Sequence, residues 1–152
     1  MYDLGIIGGM GPEATVNFFK RVIEYTDSNI DQEHMNICVM NKSLIPDRSR
    51  FLMSKGESPL KYLQECVNDL QLLGIKYIAM PCNTSHYFLK ELKVSEKTIF
   101  IDMIKETLLV AKELYPCRSI YILGTTGTQK ERLYSQYKNI GISESRIHYP
   151  ND

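Results

Sequence analysis

Apolar residues along this chain fall into short runs that alternate with stretches of helical periodicity, the pattern of a parallel sheet with helices on both faces. Strands are expected at Tyr2 to Ile7, Asn36 to Met40, Tyr77 to Met80, Ile99 to Ile101 and Ser119 to Leu123. A helix is expected from Pro12, where proline suits the first turn, to about Thr26. The next has Ser58 as cap and Pro59 at its first position, lines Leu60, Leu63, Val67 and Leu70 along one face, and stops at Gly74. A short helix follows Cys82, and another spans roughly Met103 to Leu114. The last starts at Thr128, which pairs with Glu131 as a capping box, and closes at Gly141. The connection from Asn41 to Glu57 contains Ile45-Pro46-Asp47-Arg48 and is too long for a simple strand-to-helix joint. Loops of that length are usually functional or mobile.

Bulk properties narrow the class. The 152 residues suffice for one compact domain with a sizeable core. Lysine and arginine total 18 against 18 acidic residues, with no long block of like charge, so nucleic acid and anionic membrane are poor partners. The N-terminus enters a strand at once, without a basic or long apolar leader, and no run is long enough to span a bilayer. A soluble cytoplasmic protein is expected. Cys38, Cys66, Cys82 and Cys117 are far apart and form no C-x-x-C, so neither a metal site nor a disulfide framework is expected.

The segment Met80-Pro81-Cys82-Asn83-Thr84-Ser85-His86 holds the candidate chemistry. It places a thiol where a buried strand ends and a helix begins, where backbone N–H groups and the helix dipole favour thiolate. Asn83 and Thr84 add short polar groups beside free N–H groups, a cradle for a carboxylate. Cys82 is equally readable as a small core residue. His86, one helical turn on, is read as an anchor for the loop in preference to a base for Cys82. The other three cysteines default to structural roles.

Gly9-Met10-Gly11-Pro12-Glu13-Ala14 formally fits the dinucleotide fingerprint G-x-G-x-x-A. The acidic residue expected at the end of the second strand is replaced by Asn41, so a tight turn near a small anion is the preferred reading. Arg48 is either a solvated loop charge or a two-donor fork for a carboxylate carried over the strand ends. Tyr134, Tyr137 and the Phe18-Phe19 pair sit at helical spacings and read as packing or an oligomer contact. Gly8-Gly9-Met10-Gly11 and Gly124-Thr125-Thr126-Gly127 echo one another, as if a second lobe copied the first.

Taken in order, Ile6 to Thr15, Pro46-Asp47-Arg48, Met80 to His86 and Thr125 to Thr128 resemble the motifs of the aspartate/glutamate racemase family, with Ser85 where alanine is usual. The resemblance implies a cofactor-independent enzyme of two pseudo-symmetric α/β lobes, which binds aspartate or glutamate in the cleft between them and forms a homodimer. A cysteine from each lobe faces Cα, one taking the proton and the other returning one, so neither PLP nor metal is needed. By position, Cys82 is the first catalytic cysteine, Asn83 and Thr84 hold the α-carboxylate, Arg48 holds the side-chain carboxylate, and Met10 and Thr126 line the cleft. Residues 1–101 are then the first lobe, and 102–152 a connecting helix and an incomplete second lobe. By the internal echo, the second cysteine is expected beyond Asp152, and Cys117 precedes its strand and does not replace it. A one-thiol decarboxylase or isomerase and a non-catalytic dicarboxylate binder remain open alternatives. If another residue takes the second role, His148 and Tyr149 are the first candidates.

Overall fold

A computed structural model describes residues 2–150 of the chain. Four strands, β1 (Leu4–Gly8), β2 (Ile37–Asn41), β3 (Tyr77–Ala79) and β4 (Ile99–Ile101), form one sheet in the order β2-β1-β3-β4. All its pairings are parallel, with Leu4 opposite both Ile37 and Tyr77. The central strand β1 is buried throughout, as a strand covered on both faces requires. Ile7 packs with Leu63, Val67 and Leu70 of helix α3 (Leu60–Leu72), whereas Leu4 and Ile6 turn to Phe18 and Val22 of helix α1 (Pro12–Tyr25).

Within the long connection, expected as a loop, the structure holds a five-residue helix, α2 (Arg48–Leu52). The Asp47 carboxylate accepts the Arg50 N–H at 2.7 Å and so caps it. Helix α3 has Pro59 as its cap residue, with Ser58 Oγ accepting the Leu60 N–H at 3.3 Å.

Helix α4 (Met103–Leu114) leads to a separate two-stranded parallel sheet of β5 (Ile120–Tyr121) and β6 (Ile147–His148). The helix expected from Thr128 to Gly141 is corrected. Helix α5 (Thr126–Lys130) begins earlier, because the Thr125 hydroxyl accepts the Thr128 N–H and takes the cap role. Arg132 adopts a left-handed φ of 44°, which ends the helix. Short 3₁₀ turns at Leu133–Gln136 and Lys138–Ile140 follow, closed by Gly141 at φ 77°. Ile104, Leu108, Ile122, Leu133, Ile140, Ile142, Ile147 and Tyr149 make a second buried cluster. No helix among the described residues is long and apolar enough to cross a membrane.

Candidate active site

The turns at the carboxyl ends of β1 and β3 carry the candidate groups. Gly9 turns the chain with φ 91°, and a Cβ there would come within 2.5 Å of the Lys42 backbone. Only glycine suits that position. Thr15 Oγ1 accepts the Gly9 N–H at 2.9 Å and donates to the Gly11 carbonyl at 3.1 Å. The Gly9 amide is thus used inside the turn, which supports the reading of this motif as a tight turn.

After β3, Cys82 is partly exposed and its N–H donates to the Met80 carbonyl at 2.8 Å. The helix that follows is a single 3₁₀ segment, Thr84–Phe88, preceded by Asn83. Its length corrects the dipole argument made from the sequence, since one short 3₁₀ turn aligns few peptide dipoles. What remains are the N–H groups at its start, which have no partner within the helix.

His86 is the anchor of this turn. The Met103 N–H donates to His86 Nε2 at 3.1 Å, so Nε2 carries the lone pair and Nδ1–H donates to the Cys82 carbonyl at 2.8 Å. Burial, with 5% of the residue exposed, holds His86 below the usual imidazole range; its bond to Cys82 and the nearby Asp102 oppose that shift more weakly. The ring therefore ties the carbonyl of Cys82 to the first residue of α4. Asp102 caps α4 by accepting the Lys105 N–H, and also accepts the Tyr137 hydroxyl at 2.6 Å. Burial first, then that bond, pushes the Tyr137 phenol well up.

The proposed substrate ligands are brought to one region in unequal ways. Asn83 is exposed, and its Oδ1 accepts the Tyr134 hydroxyl at 2.6 Å. Thr84 is 4% exposed, and its hydroxyl sits 2.7 Å from Thr125 Oγ1 and 3.0 Å from Thr128 Oγ1, which are themselves 3.2 Å apart. The Thr84 hydroxyl is thus engaged with its two threonine neighbours. Met10 is buried in the first core, with its sulfur accepting the Ser85 hydroxyl at 3.3 Å. Arg48 donates from Nη1 to the carbonyls of Ile45 (3.3 Å) and Pro46 (3.1 Å), and from Nη2 to that of Met10 (3.3 Å). Its Nε is buried without an acceptor. Thr126 opens α5 and is exposed, on the rim of a cavity of about 430 Å³ shared with Met53, Gln129 and Lys130.

Sequence reasoning missed Tyr134, Thr125 and Thr128 as neighbours of the site. The available signal lies in the run Thr125-Thr126-Gly127-Thr128, where Thr125 takes the cap position of α5. The other cysteines lie elsewhere: Cys38 in β2, Cys66 buried in α3 with its thiol pushed up by burial, and Cys117 exposed after α4. An open apolar groove of about 780 Å³ between α1 and α4 is lined by Met80 and Pro81 but not by Cys82 or Asn83. Its apolar walls do not suit a zwitterionic ligand.

The chain matches the model of the Asp/Glu/hydantoin racemase family over residues 7–149. It is 29% identical over 140 residues to the broad specificity amino-acid racemase RacX of Bacillus subtilis, covering 88% of this chain and 59% of that protein. It superposes on the aspartate racemase of Picrophilus torridus with a TM-score of 0.87 and 32% identity, covering 99% of this chain and 63% of that one. A putative Asp/Glu racemase from Yersinia pestis shares the fold, with a TM-score of 0.77 at 20% identity over 66% of its length. The chain thus spans about 60% of the length of these relatives. With the parallel α/β architecture and the ordered motifs, the match over nearly the whole chain shows that it belongs to the Asp/Glu/hydantoin racemase family.

Proposed function

We propose that this chain is a cofactor-independent amino-acid racemase that moves a proton at Cα of aspartate or glutamate through Cys82. The observation that carries this reading is the position of Cys82. Its partly exposed thiol lies between a buried strand end and the Asn83–Thr84 turn, whose backbone is fastened by His86. The Cys82 thiolate takes the Cα proton, and the electron pair left behind spreads into the α-carboxylate. That carboxylate is held by the Asn83 amide and by the N–H groups that open the turn, which stabilise the charge as it develops. Arg48 reads the side-chain carboxylate. Its three carbonyl contacts, at 3.1 to 3.3 Å, are long neutral-acceptor bonds that a carboxylate outcompetes.

Inversion needs a second acid–base group on the opposite face, and Cys38, Cys66 and Cys117 lie outside the turn that holds Cys82. That distribution favours a second reading, in which this chain alone serves one face of the substrate. We take residues 1–101 as the first lobe and 102–152 as the start of the second. We also take the protein to be a cytoplasmic homodimer. The exposed stripe of Val16, Phe19 and Ile23 along α1 supports the dimer.

The test is incubation of the protein with L-aspartate or L-glutamate in D₂O. Deuterium is followed by NMR and the D-isomer by chiral chromatography, with Cys82→Ser as control. Exchange at Cα that vanishes in the variant is expected. Accompanying D-isomer identifies a complete racemase, whereas exchange with retention identifies the one-face site. Absence of exchange from both amino acids would refute the proposal.

A further inference from the structure

The contact between Tyr134 and Asn83 joins residues 51 positions apart, from the second cluster to the turn that holds Cys82. Asn83 is exposed, and an exposed asparagine presents its oxygen or its NH₂ group with little preference between them. Here the phenol donates to Oδ1 at 2.6 Å, which occupies the oxygen and leaves Nδ2 as the free end of the amide. A free NH₂ end donates to a carboxylate, and a free oxygen repels one. The phenol is itself held in place. The Tyr149 hydroxyl accepts the N–H groups of Tyr134 at 3.1 Å and Ser135 at 3.2 Å, fixing the backbone from which the Tyr134 ring projects. Tyr149 is 5% exposed in the core of the second cluster, so this support is rigid. A phenol is protonated at neutral pH in any case, and burial pushes that of Tyr134 further up.

We propose that Tyr134 is a positioning residue that orients the Asn83 amide, turning its NH₂ group toward the α-carboxylate of the amino acid. The inference rests on the reading of Asn83 as a carboxylate ligand. It adds a residue from outside the turn, and makes ligand binding at Cys82 depend on how the second cluster is docked.

The test measures protection of Cys82 from iodoacetamide by L-aspartate in the full chain, comparing Tyr134→Phe, Asn83→Ala, the double variant and Asn83→Asp. Tyr134→Phe keeps the ring and removes the donor, so the aspartate concentration giving half protection should rise about 5- to 10-fold, the weight of one hydrogen bond. The alkylation rate without aspartate should stay at the wild-type value, which a general disturbance of the turn would not allow. The double variant should bind no worse than Asn83→Ala, because Tyr134 acts only through the amide. Asn83→Asp should bind worse than Asn83→Ala, since Tyr134 then leaves a second carboxylate oxygen facing the ligand. Wild-type protection in Tyr134→Phe with weakened protection in Asn83→Ala would overturn the inference and leave the carboxylate reading intact. Additive losses in the double variant would do the same. Wild-type protection in both Asn83 variants would overturn the carboxylate reading and the inference with it.

Discussion

Replacing His86 with phenylalanine removes the link between the Cys82 turn and α4 while keeping the volume of the ring. Two bonds go: from Nδ1–H to the Cys82 carbonyl at 2.8 Å, and from the Met103 N–H to Nε2 at 3.1 Å. Because His86 is 5% exposed, the stranded carbonyl and N–H face an apolar ring. Each orphaned group costs about 1–3 kcal/mol, and partial access to water lowers the sum, so the expected loss is about 2–4 kcal/mol. Urea denaturation followed by circular dichroism at neutral pH reads it directly. The same imidazole leaves a mark on the pH profile. Burial holds its folded pKa below the ordinary 6.5, so between those two values the unfolded chain binds a proton that the folded chain does not. The stability contributed by neutral His86 is complete above pH 6.5 and falls as pH drops toward the folded value. The gap between wild type and His86→Phe should therefore narrow on acidification. A loss under about 0.5 kcal/mol at neutral pH, the ordinary scatter of surface changes, would refute this account of His86, as would a gap that is constant or widens with acid.

Two further predictions concern the flanks of the site. Arg48→Ala should weaken aspartate protection of Cys82 by about 1.5–3 kcal/mol, the range for hydrogen bonds to charged groups, and should change alanine binding much less. Equal losses for both amino acids would show that Arg48 acts on the Met10 turn and does not read the side chain. Gly127→Ala should destabilise the chain by about 1–3 kcal/mol in a thermal melt. Its Cβ would meet Thr84 Cγ2 at 2.9 Å, Ser49 Oγ at 3.0 Å and Leu52 Cδ1 at 3.1 Å. An unchanged melt would mean that those side chains give way freely.

What could be read from the chain was what local sequence controls. The parallel sheet followed from buried apolar runs set between helical periods. The role of His86 as an anchor followed from its place one helical turn after Cys82, where a side chain points away from a site in front of the turn; the bond from Nδ1–H to the Cys82 carbonyl was visible only in the structure. Helix α2 escaped because five residues carry too little periodicity, although Asp47 before Arg48 was a usable cap signal. The helix placed from Thr128 to Gly141 failed because Thr125 competes for the cap and Arg132 breaks the backbone, and Glu131 could not outweigh either. The link from Tyr134 to Asn83 had no local signal at all. It exists only because the second cluster packs against the turn after β3.

The three threonine hydroxyls of Thr84, Thr125 and Thr128 form a closed ring in which each oxygen can both give and take a proton. Such a ring carries no net charge, does not titrate near neutrality, and offers dissolved ions nothing to screen. If Arg48 binds an acidic amino acid as proposed, its half-buried guanidinium is the opposite case, since the long-range attraction that draws a charged ligand to it weakens as salt is added. Ionic strength therefore acts on the two halves of the site differently. Concentrated salt should slow the arrival of the ligand while the backbone of Thr84, next to Cys82, keeps its place.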